Sequence, residues 1–451
     1  MTEWSGRRVL VAGLGRFGGG AGAVRFLAAA GARVTVTDRA DEHALADSLA
    51  QLADVEFERV LGRHREADFR AAEVVVANPA LAPGDPLLVA ARAAGARVTS
   101  EIELYLERAP APLFLVSGTQ GKSSTVTMLR ELLAADGRRV LLGGNVGGSL
   151  LSTLADAAPD AIVLELSSYQ LEALAPDIGT RVAAAGLALT NVLADHLERH
   201  GDERSYARAK RRLLELGRGP CVLPAGLFPA ERATRFALDG EAELTLREGG
   251  FYDGDTRLGD VAALGLPAFQ RSNALVALGL AHRTGVAPAT LAATIERLSA
   301  PEHRCQDLGL WAGRRVVDNG VSTTPDSTAA VLLEQPAGTV LLAGGAAKRL
   351  PLEGLARLAA ARDVRTFAFG AAAQRLADAW RAAGAHVEPE PTFAAAVERA
   401  FRATPVGGTL LFSPACASFD AFPNFRERAL TFRRLLETYP LLETSLPGDA
   451  P

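Results

Sequence analysis

The residues Gly-Thr-Gln-Gly-Lys-Ser-Ser occupy positions 118–124, directly after the apolar run Leu-Phe-Leu-Val-Ser and directly before Thr-Val-Thr-Met-Leu-Arg-Glu-Leu-Leu. A strand that ends in a glycine turn and enters an amphipathic helix is the setting of a phosphate loop. Gly118, Thr119, Gln120 and Gly121 can offer successive backbone N–H groups to phosphate oxygens. Lys122 would neutralise them and Ser123 could hold Mg²⁺. The longer form of the pattern places its first glycine where this chain has Val116, so the loop is a shortened one. Downstream, Glu165 ends the run Ala-Ile-Val-Leu-Glu, and a carboxylate at such a strand end is the usual second metal or water ligand. The alternative is an ordinary helix-start glutamate. Asp195, His196 and Arg199 follow another apolar run in Asn-Val-Leu-Ala-Asp-His-Leu-Glu-Arg-His-Gly. A histidine is a reasonable ligand where carboxylates and phosphates share a site. Lys210, in Ser-Tyr-Ala-Arg-Ala-Lys, reads by spacing alone as a surface lysine.

These groups need elements to hold them. Apolar runs ending in small or polar residues alternate with helix-like, alanine-rich stretches in three successive blocks, which implies an α/β fold with mostly parallel sheets. Ligands of such sheets bind at the carboxyl ends of the strands, where the Gly, Asn, Asp and Ser clusters fall here. The first block carries Gly13, Gly15 and Gly18 between a strand and a helix, and Asp38 lies twenty residues beyond Gly18. That is close to the dinucleotide fingerprint. A nucleotide-sugar site fits as well, because a helix N-terminus accepts any diphosphate. The 451 residues suggest about three domains, and the net charge of -4 without a basic block argues against nucleic-acid binding. Three scattered cysteines argue against disulfides and for a cytoplasmic location. No apolar run is long enough for a membrane span and no signal-peptide core is present at the N-terminus.

Taken in order, GTQGKSS, LLGGNVG, LELSSYQLE, NVLADHLERHG, SYARAK, APEHR, LLAGGAAK and SPACASFDAFPNF resemble the Mur ligases of peptidoglycan synthesis over nearly the whole chain. The resemblance implies a Rossmann-like N-terminal domain (1–105) for a UDP-sugar, a central phosphate-loop ATPase-type domain (106–301) and a Rossmann-like C-terminal domain (302–451). It implies ATP-dependent amide formation between UDP-N-acetylmuramoyl-L-alanine and glutamate, by a monomer, with no nucleic acid and no membrane insertion. ATP would sit on Gly118, Thr119, Gln120, Gly121, Lys122, Ser123 and Ser124, with Asn273, Arg304 and Asp318. Two Mg²⁺ sites would use Ser123 and Glu165, then His196 and a carbamylated Lys210. Lys122, Glu165, His196 and Lys210 would thus form the catalytic set. Gly15, Arg16, Asp38, Arg39, Asn78, Asn145 and Gln170 match UDP-sugar positions, and Lys348, Ser418 and Phe425 match positions around the amino acid.

The chain departs from that family at four places. Gln120 stands for the usual asparagine, Phe269 and Gln270 for a His-Asn pair, and Ala347 for an acid before Lys348. In residues 316–328, Val-Val-Asp-Asn-Gly-Val-Ser-Thr-Thr-Pro-Asp-Ser-Thr, a lysine that clamps the glutamate in the D-glutamate-adding members is missing. Ungapped, Val321 takes its place and Asn319 that of the acid. With one residue inserted, Asp318 remains the acid and Gly320 replaces the lysine. Addition of D-glutamate is expected, with L-glutamate or another amino acid as the alternative. A dinucleotide-dependent oxidoreductase is the alternative of a different class.

Overall fold

Short apolar runs that end in glycine or a small polar residue become parallel strands, because helices cover both faces of each sheet and leave no polar side. The computed structural model describes residues 3–15, 18–145, 148–229, 231–346, 350–439 and 441–442. Strands β1 (Arg8–Ala12), β2 (Arg33–Thr37), β3 (Glu58–Val60), β4 (Val74–Ala77) and β5 (Arg97–Thr99) form a parallel sheet in the order β3-β2-β1-β4-β5. The helix Gly19–Ala29 crosses from β1 to β2 and buries Ala21, Ala23, Val24 and Leu27. Since β2 lies on one side of β1 and β4 on the other, the chain parts at the carboxyl end of β1. A crevice opens at such a switch point.

The second sheet repeats this logic. It begins with β6 (Leu113–Ser117), β7 (Val140–Gly144), β8 (Ala161–Glu165) and β9 (Gly186–Leu189). It continues through β10 (Cys221–Pro224), β11 (Thr234–Ala237), β12 (Leu244–Arg247), β13 (Gly250–Asp253) and β14 (Thr256–Asp260). The order is β14-β13-β12-β11-β10-β9-β6-β8-β7, parallel except for the meander from β12 to β14. Every residue of β6 and β8 is buried, and β6 lies between β8 and β9. This second switch point is where residues 118–124 leave the sheet. Val9, Val24 and Leu27 of the first layers share one apolar cluster with Leu115, Ile162 and Leu187 of the second. The chain divides into two compact units, Met1–Gly265 with Gln270–Ser299, and Leu266–Phe269 with Ala300–Pro451. Both sheets belong to the first.

The second unit is built on β15 (Gln306–Trp311), β16 (Arg314–Asp318), β17 (Val340–Gly344), β18 (Arg365–Phe369), β19 (Val387–Pro389), β20 (Thr409–Ala415) and β21 (Leu441–Leu442). Their order is β19-β18-β17-β20-β16-β15-β21, with only β15 running antiparallel to its two neighbours. Arg428, on the helix Phe425–Leu436, lies fully buried against the strand ends. Its guanidinium donates to the carbonyls of Gly344 (3.3 Å), Cys416 (3.1 Å), Ala417 (2.9 Å) and Gly320 (3.3 Å). Burial pulls its pKa down to about 10, which leaves it charged at neutral pH. Among the described residues no helix is long and apolar enough to cross a membrane.

Arg428→Met keeps the bulk and removes the donors, leaving several buried carbonyls unpaired. The expected loss is about 2–4 kcal/mol of stability, read as a lower urea midpoint. An unchanged midpoint would show that the three strand ends do not rely on this residue.

Candidate active site

Gly121 caps the helix Lys122–Ala135 with φ at 81°, and a Cβ at that position would overlap Asn273 Oδ1. Only glycine lets the loop pass beneath Asn273, whose Nδ2 donates to Gln270 Oε1 at 2.6 Å. The loop is tied from both sides. Asn191 Oδ1 accepts the N–H groups of Thr119 (3.2 Å) and Gln120 (2.9 Å). Lys122 Nζ donates to the Thr119 carbonyl at 2.9 Å, and Lys210 Nζ to the Gly118 carbonyl at 2.6 Å. Thr119 and Gln120 therefore differ from the sequence expectation of open phosphate donors, because a neighbouring asparagine amide takes their N–H groups.

Glu165, at the end of β8, is buried and accepts the Ser123 hydroxyl at 2.6 Å, with Asn145 Nδ2 at 3.4 Å from its other oxygen. Ser123 and Glu165 thus present hard oxygen donors side by side, the chemistry a Mg²⁺ ion takes when phosphate and water complete its shell. Ser124 is turned inward, its hydroxyl buried without a partner. His196 has a left-handed backbone (φ 52°) and caps the short helix Leu197–His200, with Asp195 at 3.5 Å, Glu198 at 3.4 Å and the Tyr169 hydroxyl at 3.4 Å. Lys210 departs most from what its spacing suggested. It is 1% exposed, and its amine packs over the Tyr206 ring. Burial and the nearby Lys122 charge hold its pKa well below the usual lysine range. Among the described residues no three His, Cys, Asp or Glu side chains converge as a metal cluster.

A cleft of about 650 Å³ lies at the first switch point, lined by Gly13, Gly15 and Asn78 from the first sheet and by Asn145, Tyr169, Gln170 and Arg199 from the second. A Cβ on Gly13 would stand 2.7 Å from the Asn78 Cβ, so glycine is needed for the two loops to meet. Gln170 closes a capping box with Ser167, accepting the Ser167 N–H at 2.9 Å. Asp38 sits behind this wall, accepting the N–H groups of Gly15 (3.1 Å) and Ala40 (2.8 Å). Its carboxylate braces the glycine turn that lines the cleft. Arg39 is exposed, and Arg16 lies outside the described residues. Glu101 also lines the cleft and takes the Ser149 hydroxyl (2.7 Å) and the Leu150 N–H (3.1 Å), while burial raises its pKa. A larger groove of about 860 Å³ along Arg25, Asp54 and Glu58 carries none of the predicted groups.

In the second unit Asp318 is fully buried at the end of β16. One oxygen meets His303 Nδ1 (2.7 Å) and Arg433 (2.8 Å), and the other accepts the Gly320 N–H (2.9 Å). It is an internal ion-pair partner here, not an open ribose acceptor. Arg304 is half-buried one residue past His303. Ser418 is buried, Phe425 is 40% exposed at the start of its helix, and Lys348 lies outside the described residues. Sequence reasoning missed Asn191, Glu101 and Tyr206, which act through backbone or through other side chains and match no spacing rule.

Comparison with known proteins gives these positions a context. Residues 116–223 match the Mur ligase middle domain, and residues 7–100 match the MurD-like N-terminal domain of Mur ligases. The UDP-N-acetylmuramoylalanine--D-glutamate ligase of Roseiflexus sp. is 34% identical, spanning 97% of this chain and 100% of that one. The protein of the same name from Geobacter metallireducens is 35% identical, over 96% and 97%. Among solved structures, the UDP-N-acetylmuramate-alanine ligase of Thermotoga maritima superposes with a TM-score of 0.62 at 16% identity, covering 96% of this chain and 99% of that one. The pseudomurein peptide ligase type C of Methanothermus fervidus gives 0.59 at 14%, over 96% and 99%.

Gly121→Ala forces a left-handed alanine and displaces Asn273. The left-handed backbone alone costs about 1–2 kcal/mol, so affinity for a nucleoside triphosphate should fall roughly tenfold or more in calorimetric titration. Wild-type affinity would mean that the loop does not contact the nucleotide.

Proposed function

The chain belongs to the Mur ligase family, and from that membership we propose that it joins D-glutamate to UDP-N-acetylmuramoyl-L-alanine, with ATP as the energy source. The proposal extends to a monomer working in the cytoplasm and to domains at 1–105, 106–301 and 302–451. A carboxylate resists attack by an amine. Transfer of the ATP γ-phosphoryl to a carboxylate oxygen releases ADP and gives an acyl phosphate. The amino group of glutamate adds to the acyl carbon, the C–O bond to phosphate breaks, and the nitrogen loses its proton as the amide forms. Such transfer needs alignment and charge neutralisation more than a protein nucleophile.

The observation that carries the assignment is the buried Lys210 amine on the Gly118 carbonyl. A buried amine whose pKa is displaced downward adds CO₂ through its neutral form, releasing one proton and becoming a carbamate, so a lysine becomes an oxygen ligand. Lys210 in that form and His196 would hold one Mg²⁺, and Ser123 with Glu165 the other; bound there, Mg²⁺ neutralises the phosphates. Lys122 adds its charge to theirs. Gly118, Thr119, Gln120, Gly121 and Ser124 form the ATP loop, with Asn273, Arg304 and Asp318 completing the nucleotide's surroundings. For Thr119, Gln120 and Asp318 this requires exchange of their present partners. Gly15, Arg16, Asp38, Arg39, Asn78, Asn145 and Gln170 serve the UDP-sugar, and Lys348, Ser418 and Phe425 the amino acid.

A second reading, addition of L-glutamate or another amino acid, is favoured by one feature. A side chain at Gly320 would meet Ala429 Cβ at 2.7 Å and Phe412 at 2.9 Å, so the turn after β16 has no room for a lysine there. Phosphate release with UDP-N-acetylmuramoyl-L-alanine and a panel of D- and L-amino acids separates the two. Release with D-glutamate alone is expected, and release confined to another amino acid overturns the substrate while keeping the chemistry. Lys210→Ala should abolish turnover, with partial recovery on adding formate or acetate. Normal turnover by the variant removes Lys210 from the metal site.

A further inference from the structure

Arg199 lines the cleft at the first switch point, yet its side chain is spent on protein atoms. Its Nη1 donates to the Ala80 carbonyl at 2.7 Å, and its Nη2 to those of Pro79 (3.0 Å) and Leu81 (3.3 Å). Its Nε donates to Glu172 at 2.9 Å, and its guanidinium lies 4.9 Å from the centre of the Tyr169 ring. The side chain is 11% exposed. The three carbonyls belong to the turn that carries Asn78, which is shaped by the Asn78 Oδ1 bond to the Ala80 N–H at 3.0 Å. A guanidinium with five fixed donors suits a row of carbonyls in a way that an ammonium does not.

At its other end Arg199 is three residues from His196. The His196 carbonyl accepts the N–H groups of Arg199 (3.0 Å) and His200 (3.1 Å), so His196 and Arg199 are tied into one hydrogen-bonded turn. Tyr169 closes the circuit, lying against Arg199 through its ring and against His196 Nδ1 through its hydroxyl at 3.4 Å. The wall of the cleft and His196 therefore share one bonded unit, and the segment that leads into His196 reaches the phosphate loop, where the Leu193 N–H donates to Thr119 Oγ1 at 2.9 Å.

We propose that Arg199 is a positioning residue that couples occupancy of the UDP-sugar cleft to the setting of His196, and so to ATP binding. The inference rests on the ligase reading for the identity of the two ligands. A ligand that orders the 78–81 turn fixes the guanidinium and with it the His196 turn, so the second ligand has less to order. Linkage makes the effect mutual: each ligand tightens the other by the same factor.

The test measures the dissociation constant of the β,γ-imido analogue of ATP, with and without UDP-N-acetylmuramoyl-L-alanine, on the full chain. Wild type should show a ratio in the ordinary coupling range, roughly 5–150-fold. Arg199→Lys, which keeps the charge and loses the fork, and Arg199→Met should bring the ratio toward one while the analogue alone binds as before. A ratio that persists in both variants overturns the proposal, as does a wild type without coupling. A loss of analogue binding in the absence of acceptor, together with a lower melting temperature, marks a purely structural residue and also overturns it. Turnover is scored separately. A wild type that shows the coupling but releases no phosphate with any amino acid sinks the ligase assignment and leaves the coupling standing.

Discussion

Two lysine amines end on adjacent carbonyls of one loop, Lys210 on Gly118 and Lys122 on Thr119. Like charges so placed repel, and burial removes the water that would screen them. One relief is loss of a proton from the more buried amine, the direction in which the Lys210 pKa is displaced. The other is an anion. A loop with this pair beneath it favours an anion such as phosphate. The remaining parts of the site follow from this. Glu165 and Ser123 place hard oxygen donors side by side, and Asn191 holds the loop amides in register.

The same topological device is used twice within the first unit. In each sheet a central strand, β1 or β6, has its successors on opposite sides, and a glycine turn leaves the strand at that point. One turn faces the 650 Å³ cleft, and the other offers its carbonyls to the two lysine amines. Both sheets share one apolar cluster, so the two turns are held at a fixed distance by a common core and not by a linker. Arg199 adds a polar connection to that apolar one. Apolar packing resists displacement in every direction, whereas a guanidinium on three carbonyls responds to the shape of one particular turn.

Much of the fold was legible because it is written in periodicity: short apolar runs, glycine turns and alanine-rich helices specify parallel sheets with little ambiguity. Gly121 and Gly13 were legible as turns, although the reasons they must be glycine, Asn273 in one case and Asn78 in the other, come from residues more than sixty positions away. Lys210 was not legible from spacing. On its helix it follows Arg208 and precedes Arg211, and nothing local marks it as the one turned inward. Arg199 and Arg428 were opaque for a different reason. Their partners are backbone carbonyls, which every residue has, so no side-chain pattern announces them. Asp38 and Asp318 show the converse. Each looks like a ligand acceptor in sequence, and each is committed to bonds within its own unit.

The turn after β16 illustrates how internal commitment constrains selectivity. Asn319 Nδ2 donates to Ser413 Oγ at 2.9 Å, Ser413 to Thr328 at 2.8 Å, and Ser322 and Thr328 share a bond at 2.9 Å. All four residues are buried, so their polar groups satisfy one another. A free carboxylate brought against this network would have to displace neutral partners without gaining a counter-charge, an unfavourable exchange in a dry site. A charge that paired with such a carboxylate would therefore have to come from outside the 319–328 turn. Arg428 is fully buried among carbonyls and serves as a brace for the strand ends. Neither the neutral 319–328 turn nor Arg428, whose terminal nitrogens donate to carbonyls, offers a counter-charge to such a carboxylate.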